Sequence, residues 1–103
     1  MSSKIVNNFI ITISEQDLQA EKRKASTLKK TQWWKRKLSK KMCFYCSKEF
    51  PLSQLTMDHI VPIIRGGKTA KSNVVVACKI CNSAKKYLLP TEWEDYLNKL
   101  KEN

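Results

Sequence analysis

Apolar and polar positions divide this chain into a helical first half and a mixed second half. From Glu15 to about Lys40 there is no Gly or Pro. Leu18, Ala25, Leu28 and Leu38 recur there at loosely helical spacing, with Trp33 and Trp34 between them. Ser14 followed by Asp17 offers an N-cap and an acidic first turn. The pattern predicts one long helix with a break, if any, near Ser26-Thr27. Unbroken, it would run about 39 Å. Before it, Ile5, Val6, Phe9, Ile10, Ile11 and Ile13 have strand propensity without clean alternation, so residues 1–13 read as an extended or poorly ordered lead-in.

The second half changes period. Leu55 to Ile60 predicts a strand, and Pro62 with Gly66-Gly67 a loop reaching about Asn73. Val74-Val75-Val76 predicts a second short strand. A helix follows from about Cys78 to Lys86 and is stopped by Pro90. Thr91 with Glu94 reads as a capping box for a last helix, Glu92 to about Lys101, whose apolar stripe is Trp93, Tyr96, Leu97 and Leu100. The expected division is an extension with a basic helix over 1–41 and a compact module over 42–103, in one small α+β domain overall.

The 103 residues leave room for a modest core, and a domain of this size is often stapled. Cys43-x-x-Cys46 and Cys78-x-x-Cys81 supply the staple. A two-residue gap lets both sulfurs of a pair approach one ion at about 2.3 Å, and two pairs close a tetrahedral site with no open position. The metal this implies is a structural Zn²⁺. Iron, a redox role or disulfides are the alternatives. No run approaches 18 apolar residues, and no signal-like cleavage site follows the short apolar patch near the N-terminus. A cytoplasmic chain with no membrane span is therefore expected, and a reducing compartment favours metal binding over disulfides.

Charge narrows the partner. The chain carries 20 Lys and Arg against 9 Asp and Glu, a formal +11. Residues 21–42 hold ten basic side chains and a single acid, Glu21. Residues 58–89 hold six basic side chains and a single acid, Asp58. Such faces suit polyanions, because each neutralised phosphate releases counterions. A solvated surface or a membrane-surface patch would also be basic.

His59 is the one histidine, next to Asp58 at the end of a predicted strand. A lone histidine is ordinarily a satisfied core or surface residue. Here the cysteines do not need it as a ligand, its imidazole titrates near neutrality, and Asp58 offers a hard oxygen ligand. Asn73 follows His59 after 13 intervening residues, and Asn82 follows Asn73 after 8 more, directly behind Cys81. Alone, each asparagine would read as a cap or turn residue.

Taken together, Asp58-His59, Gly66-Gly67, Asn73 and Cys78-x-x-Cys81-Asn82-x-x-Lys85 resemble the HNH endonuclease family over about Met42 to Lys86. The basic lead-in with Trp33-Trp34 is similar to that of some small bacterial members. The resemblance implies a ββα-metal fold of two strands and a helix around one divalent ion. It implies His59 as general base, Asp58 as ligand of a catalytic Mg²⁺ or Mn²⁺, and Asn73 as the residue that holds the loop and orients the histidine strand. Asn82 stands where many members have histidine, and its neutral amide is a weaker ligand than Asp58. The reaction implied is hydrolysis of phosphodiester bonds in DNA, by nicking or by double-strand cutting. Double-stranded DNA is the expected partner, and a homodimer is compatible with paired cuts.

Lys85 and Lys86 on the helix from about Cys78 to Lys86, and Arg65, Lys68 and Lys71 on the loop, are expected to grip flanking phosphates. Lys35, Arg36 and Lys37 are expected to do so from the long helix. Trp33 and Trp34 are read as packing residues, with base stacking as the alternative. The competing reading of the whole chain is a non-catalytic zinc-ribbon module that binds nucleic acid. Composition, charge and cysteines fit both readings, and Asp58-His59, Asn73 and Asn82 separate them.

Overall fold

The computed structural model describes residues 4–6, 9–11 and 13–102. Strands β1 (Lys4–Val6) and β2 (Phe9–Ile11) pair antiparallel, with Ile5 opposite Ile10. The lead-in thus contains a two-stranded pairing, and the rest of residues 1–12 lies outside the described residues.

The long basic helix is two helices, α1 (Glu15–Lys29) and α2 (Gln32–Ser39). Ser14 caps α1 by accepting from the Asp17 N–H at 3.1 Å. The break lies at Lys30-Thr31, downstream of the expected Ser26-Thr27. Thr31 Oγ1 closes α1 by donating to the Leu28 carbonyl (2.7 Å) and starts α2 by accepting from the Trp34 N–H (3.2 Å). A hydroxyl that satisfies both helix ends makes the turn cheap at that position. After the turn, α2 carries Trp34 into the core.

The module follows as β3 (Leu55–His59), β4 (Val74–Cys78), α3 (Lys79–Lys85) and α4 (Pro90–Lys101). β3 and β4 pair antiparallel in the register Leu55↔Cys78, Met57↔Val76 and His59↔Val74. Opposed residues share a face, and successive residues alternate between faces. Leu55, Met57, Val74, Val76 and Cys78 therefore line one face, and all are buried. Thr56, Asp58, Val75 and Ala77 line the other. β4 runs two residues beyond the predicted Val74–Val76 because its end carries Cys78 into the metal site.

α4 begins at Pro90 rather than Glu92. Proline at the first helical position gives up no hydrogen bond, and Glu92, not Glu94, reaches back to the Leu89 N–H at 2.8 Å. The expected Thr91–Glu94 box is therefore shifted by two residues.

One core cluster joins Ala25 of α1, Trp34 of α2, Cys43, Leu55, Met57, Val74, Val76, Ala77 and Cys78. Leu28, Trp33 and Leu38 pack against it from the extension. The helices before residue 42 and the module after it thus share one apolar interior. Trp34 packs in it, and Trp33 lies partly buried between the ammonium groups of Lys37 (5.3 Å from the ring centroid) and Lys71 (5.4 Å).

Candidate functional site

The cysteine pairs lie in two different local settings that converge. Cys43 and Cys46 sit in a tight turn where the Cys43 N–H donates to the Lys48 carbonyl and the Ser47 N–H to the Cys43 carbonyl. Ser47 takes φ of +60°, the left-handed conformation that such a reversal demands. The Phe44 N–H donates to Val76 O at 2.8 Å and ties this turn to β4. Cys78 ends β4 and caps α3, its Sγ accepting from the Cys81 N–H at 3.3 Å, while Cys43 Sγ accepts from the Tyr45 N–H at 3.3 Å.

The four Sγ atoms lie within 4.8 Å of one another. A tetrahedral ion bonded at about 2.3 Å holds its sulfurs about 3.8 Å apart, so small side-chain rotations bring these four onto one ion. Burial opposes ionisation of Cys43, but backbone N–H groups of Cys46, Cys78 and Tyr45 outweigh it and bring the thiol down to about 7. Burial, with the neighbouring cysteines, pushes Cys81 up. A bound cation would hold the cysteines of such a set as thiolates.

His59 ends β3, and its Nε2 lies 2.9 Å from Thr69 Oγ1 in the loop between the strands. Thr69 is held in turn by Glu21 of α1. The Thr69 N–H donates to Glu21 Oε1 at 2.6 Å and its hydroxyl to the Glu21 carbonyl at 3.0 Å. Burial lowers the His59 pKa from 6.5; Asp58 and Glu21 act against this, Lys29 and Lys85 with it. The imidazole is therefore neutral at pH 7.

Asp58, on the opposite face of the same strand, is buried. Its Oδ2 accepts from the Tyr45 hydroxyl and lies 3.1 Å from Lys85 Nζ. Lys85 also donates to the His59 carbonyl at 3.0 Å and is only 1% exposed. Burial and the Asp58 charge hold the Tyr45 phenol protonated well above its usual range. Trp93 of α4 packs edge-on against the Tyr45 ring, 5.7 Å between centroids.

Asn73 ends the loop and binds it from three sides. Its Oδ1 accepts from the Val61 N–H at 2.9 Å, and its Nδ2 donates to the carbonyls of Val61 (3.1 Å) and Lys68 (2.8 Å). Its own carbonyl accepts from the Ile60 N–H, one residue past His59. Gly66, at φ of +96°, ends the short 3₁₀ turn Ile63–Arg65. Gly67 approaches so closely that a Cβ there would lie 1.7 Å from the Val61 carbonyl oxygen. Asn82, on α3, is partly exposed, and its side-chain amide has no hydrogen-bond partner among the described residues.

Two of the expected phosphate-gripping residues are corrected. Lys85 is not on an accessible helix face: the charge of Asp58 draws it inward. Arg65 is forked onto Glu92 (2.9 and 3.2 Å) and onto the Tyr87 carbonyl (3.1 Å), which binds the loop to α4. Lys35, Arg36, Lys37, Lys68, Lys71 and Lys86 are exposed. Glu21, Thr69 and Tyr45 join the site without having been expected there. The one signal in the sequence was Glu21 itself, the single acid in an otherwise basic stretch.

An antiparallel hairpin, β3 and β4, followed directly by the helix α3 is the ββα arrangement of the ββα-metal class, and here four cysteines that could hold one ion stand beside it. The family model of the HNH endonucleases matches residues 43–97, more than half of the chain, and the chain belongs to that nuclease family. No curated protein matches it. Among the described residues, no helix is long and apolar enough to cross a membrane.

Proposed function

We propose that this chain is a metal-dependent endonuclease that hydrolyses phosphodiester bonds in double-stranded DNA, with a structural Zn²⁺ on Cys43, Cys46, Cys78 and Cys81. The observation that carries the reading is the setting of His59. A neutral imidazole is fixed at Nε2 by Thr69, one residue after Asp58, at the end of a strand whose exit loop Asn73 holds. A structural histidine needs no such arrangement.

Asp58 and Asn82 would hold Mg²⁺ or Mn²⁺. The donor chemistry fits, since a carboxylate and an unpartnered amide oxygen are hard ligands of the kind these cations take. When bound, the ion would supply positive charge to the scissile phosphate and its leaving oxygen. His59 takes a proton from water as the water oxygen attacks phosphorus and the bond to the 3′ oxygen breaks. Asn73 keeps the strand end in place. The exposed Lys35, Arg36, Lys37, Lys68 and Lys86 hold flanking phosphates. The four-sulfur centre stays outside the reaction and would tie the Cys43–Cys46 turn to the junction of β4 and α3. One site per chain gives nicks, so a double-strand break calls for two copies.

One observation favours the alternative, a non-catalytic nucleic-acid-binding module: Lys85 already neutralises Asp58. Supercoiled plasmid incubated with zinc-loaded protein decides between them. Nicking that requires Mg²⁺ or Mn²⁺ and disappears in His59→Ala supports the nuclease. Tight binding without cutting in either metal supports the module.

A further inference from the structure

We infer that Glu21, on the helix α1 that precedes the family-matched segment, is a positioning residue for His59 and acts through Thr69 to leave the imidazole Nδ1 as its free acceptor. The consequence for catalysis rests on the nuclease reading above.

The tautomer follows from counting hydrogens. Thr69 has one hydroxyl hydrogen. The Glu21 carbonyl, 3.0 Å from Thr69 Oγ1, can only accept, and we assign that hydrogen to this contact. The Thr69 oxygen then faces His59 Nε2 at 2.9 Å with a lone pair, and Nε2 must be the protonated nitrogen. Nδ1 carries no hydrogen and can receive a proton. Reversing the Thr69 hydroxyl would leave the Glu21 carbonyl without this donor and would place the ring proton on Nδ1, where the base is lost.

Glu21 also fixes where Thr69 stands. Glu21 is 3% exposed and is the single acid among residues 21–42, and its carboxylate accepts from the Thr69 N–H at 2.6 Å and from Lys24 Nζ at 3.0 Å. One residue thus grips both the backbone and the side chain of another that is 48 positions away. The loop carrying Thr69 has Asn73 at its far end and Glu21 at its middle, and His59 lies against the part that Glu21 holds. The basic helix is then a wall of the active site, not only a surface for phosphate.

The test uses the full zinc-loaded chain, whose single histidine gives a single imidazole in ¹⁵N–¹H spectra. The wild type should show an Nε2–H resonance protected from solvent exchange and an unprotonated Nδ1. Thr69→Val should lose that protection and lower kcat for plasmid nicking at least tenfold, with KM within twofold. Thr69→Ser should restore both. Glu21→Ala should behave like Thr69→Val, and Glu21→Gln, which keeps an acceptor for the Thr69 N–H, should behave like wild type. A ring proton on Nδ1 in the wild type overturns the inference, as does a protected Nε2–H that survives Glu21→Ala in a folded chain. If Glu21→Ala does not fold, the Thr69 pair decides. A wild type that shows the protected Nε2–H and cuts nothing overturns the nuclease reading and leaves the positioning of His59 standing.

Discussion

Lys85 Nζ lies 3.1 Å from Asp58 Oδ2, with the two side chains 1% and 7% exposed. A buried pair of this kind contributes little net stability when intact and costs a great deal when halved, because the remaining charge is left without a partner. Lys85→Met should therefore destabilise the fold by about 3–5 kcal/mol. A divalent cation that ligates Asp58 would take over the lost charge. Mn²⁺ should raise the melting temperature of the variant more than that of the wild type. An equal shift in both would count against Asp58 as a metal ligand.

Removing zinc should unfold the module rather than merely silence it. The four cysteines include two members of the core cluster, Cys43 and Cys78, and binding of structural zinc to such sites is worth about 10–16 kcal/mol at neutral pH. Chelation, or Cys78→Ser, should abolish the cooperative transition seen by circular dichroism. A folded, metal-free chain would refute the structural role.

The loop behind His59 should be sensitive to single atoms. Asn73→Ala removes three side-chain hydrogen bonds and leaves the Val61 N–H and two carbonyls short of partners, at about 1–3 kcal/mol for each group left buried. Gly67→Ala drives a methyl into the Val61 carbonyl on the same loop. Both variants should lower the urea midpoint and lower nicking. Loss of stability with full activity retained would separate the loop from the site.

Acid should affect catalysis through His59. The neutral ring is the form that accepts a proton, so activity is lost as pH falls through the folded pKa. Burial, the leading cause, lowers that pKa from 6.5, so the acid limb of kcat/KM should lie below 6.5. A cation on Asp58 would push it the same way. An acid limb above 6.5 would show that another group controls the reaction.

Affinity for DNA should depend on the exposed face of α2. Changing Lys35, Arg36 and Lys37 together to Ala should weaken binding and flatten the plot of log affinity against log salt by about 0.9 for each phosphate no longer neutralised. An unchanged slope would place the duplex elsewhere.

Much of the local structure was legible along the chain. The strand ending at Asp58-His59, the valine strand before Cys78 and the helix behind it are dictated by short-range patterns, and the two Cys-x-x-Cys pairs announce a shared ion at any separation. The departures lie where a partner distant in sequence chose among local options. Thr31 rather than Ser26 or Thr27 breaks the helix, where its hydroxyl serves both helix ends and Trp34 enters the core. Glu92 rather than Glu94 caps α4, and the same carboxylate receives Arg65.

The sequence by itself determined the residue types the chemistry needs, the family that holds them and the basic surface that would meet a polyanion. Only the tertiary structure decided which charges are drawn inward. Lys85 and Arg65 look in the sequence like Lys86 and Lys68, yet packing brings an acid to each of the first two. It likewise decided that Glu21 reaches Thr69 and, through it, His59. Charge and hydrogen-bonding capacity are properties of a residue, but a partner is a property of the fold, because it depends on which distant segments the core brings within hydrogen-bonding reach.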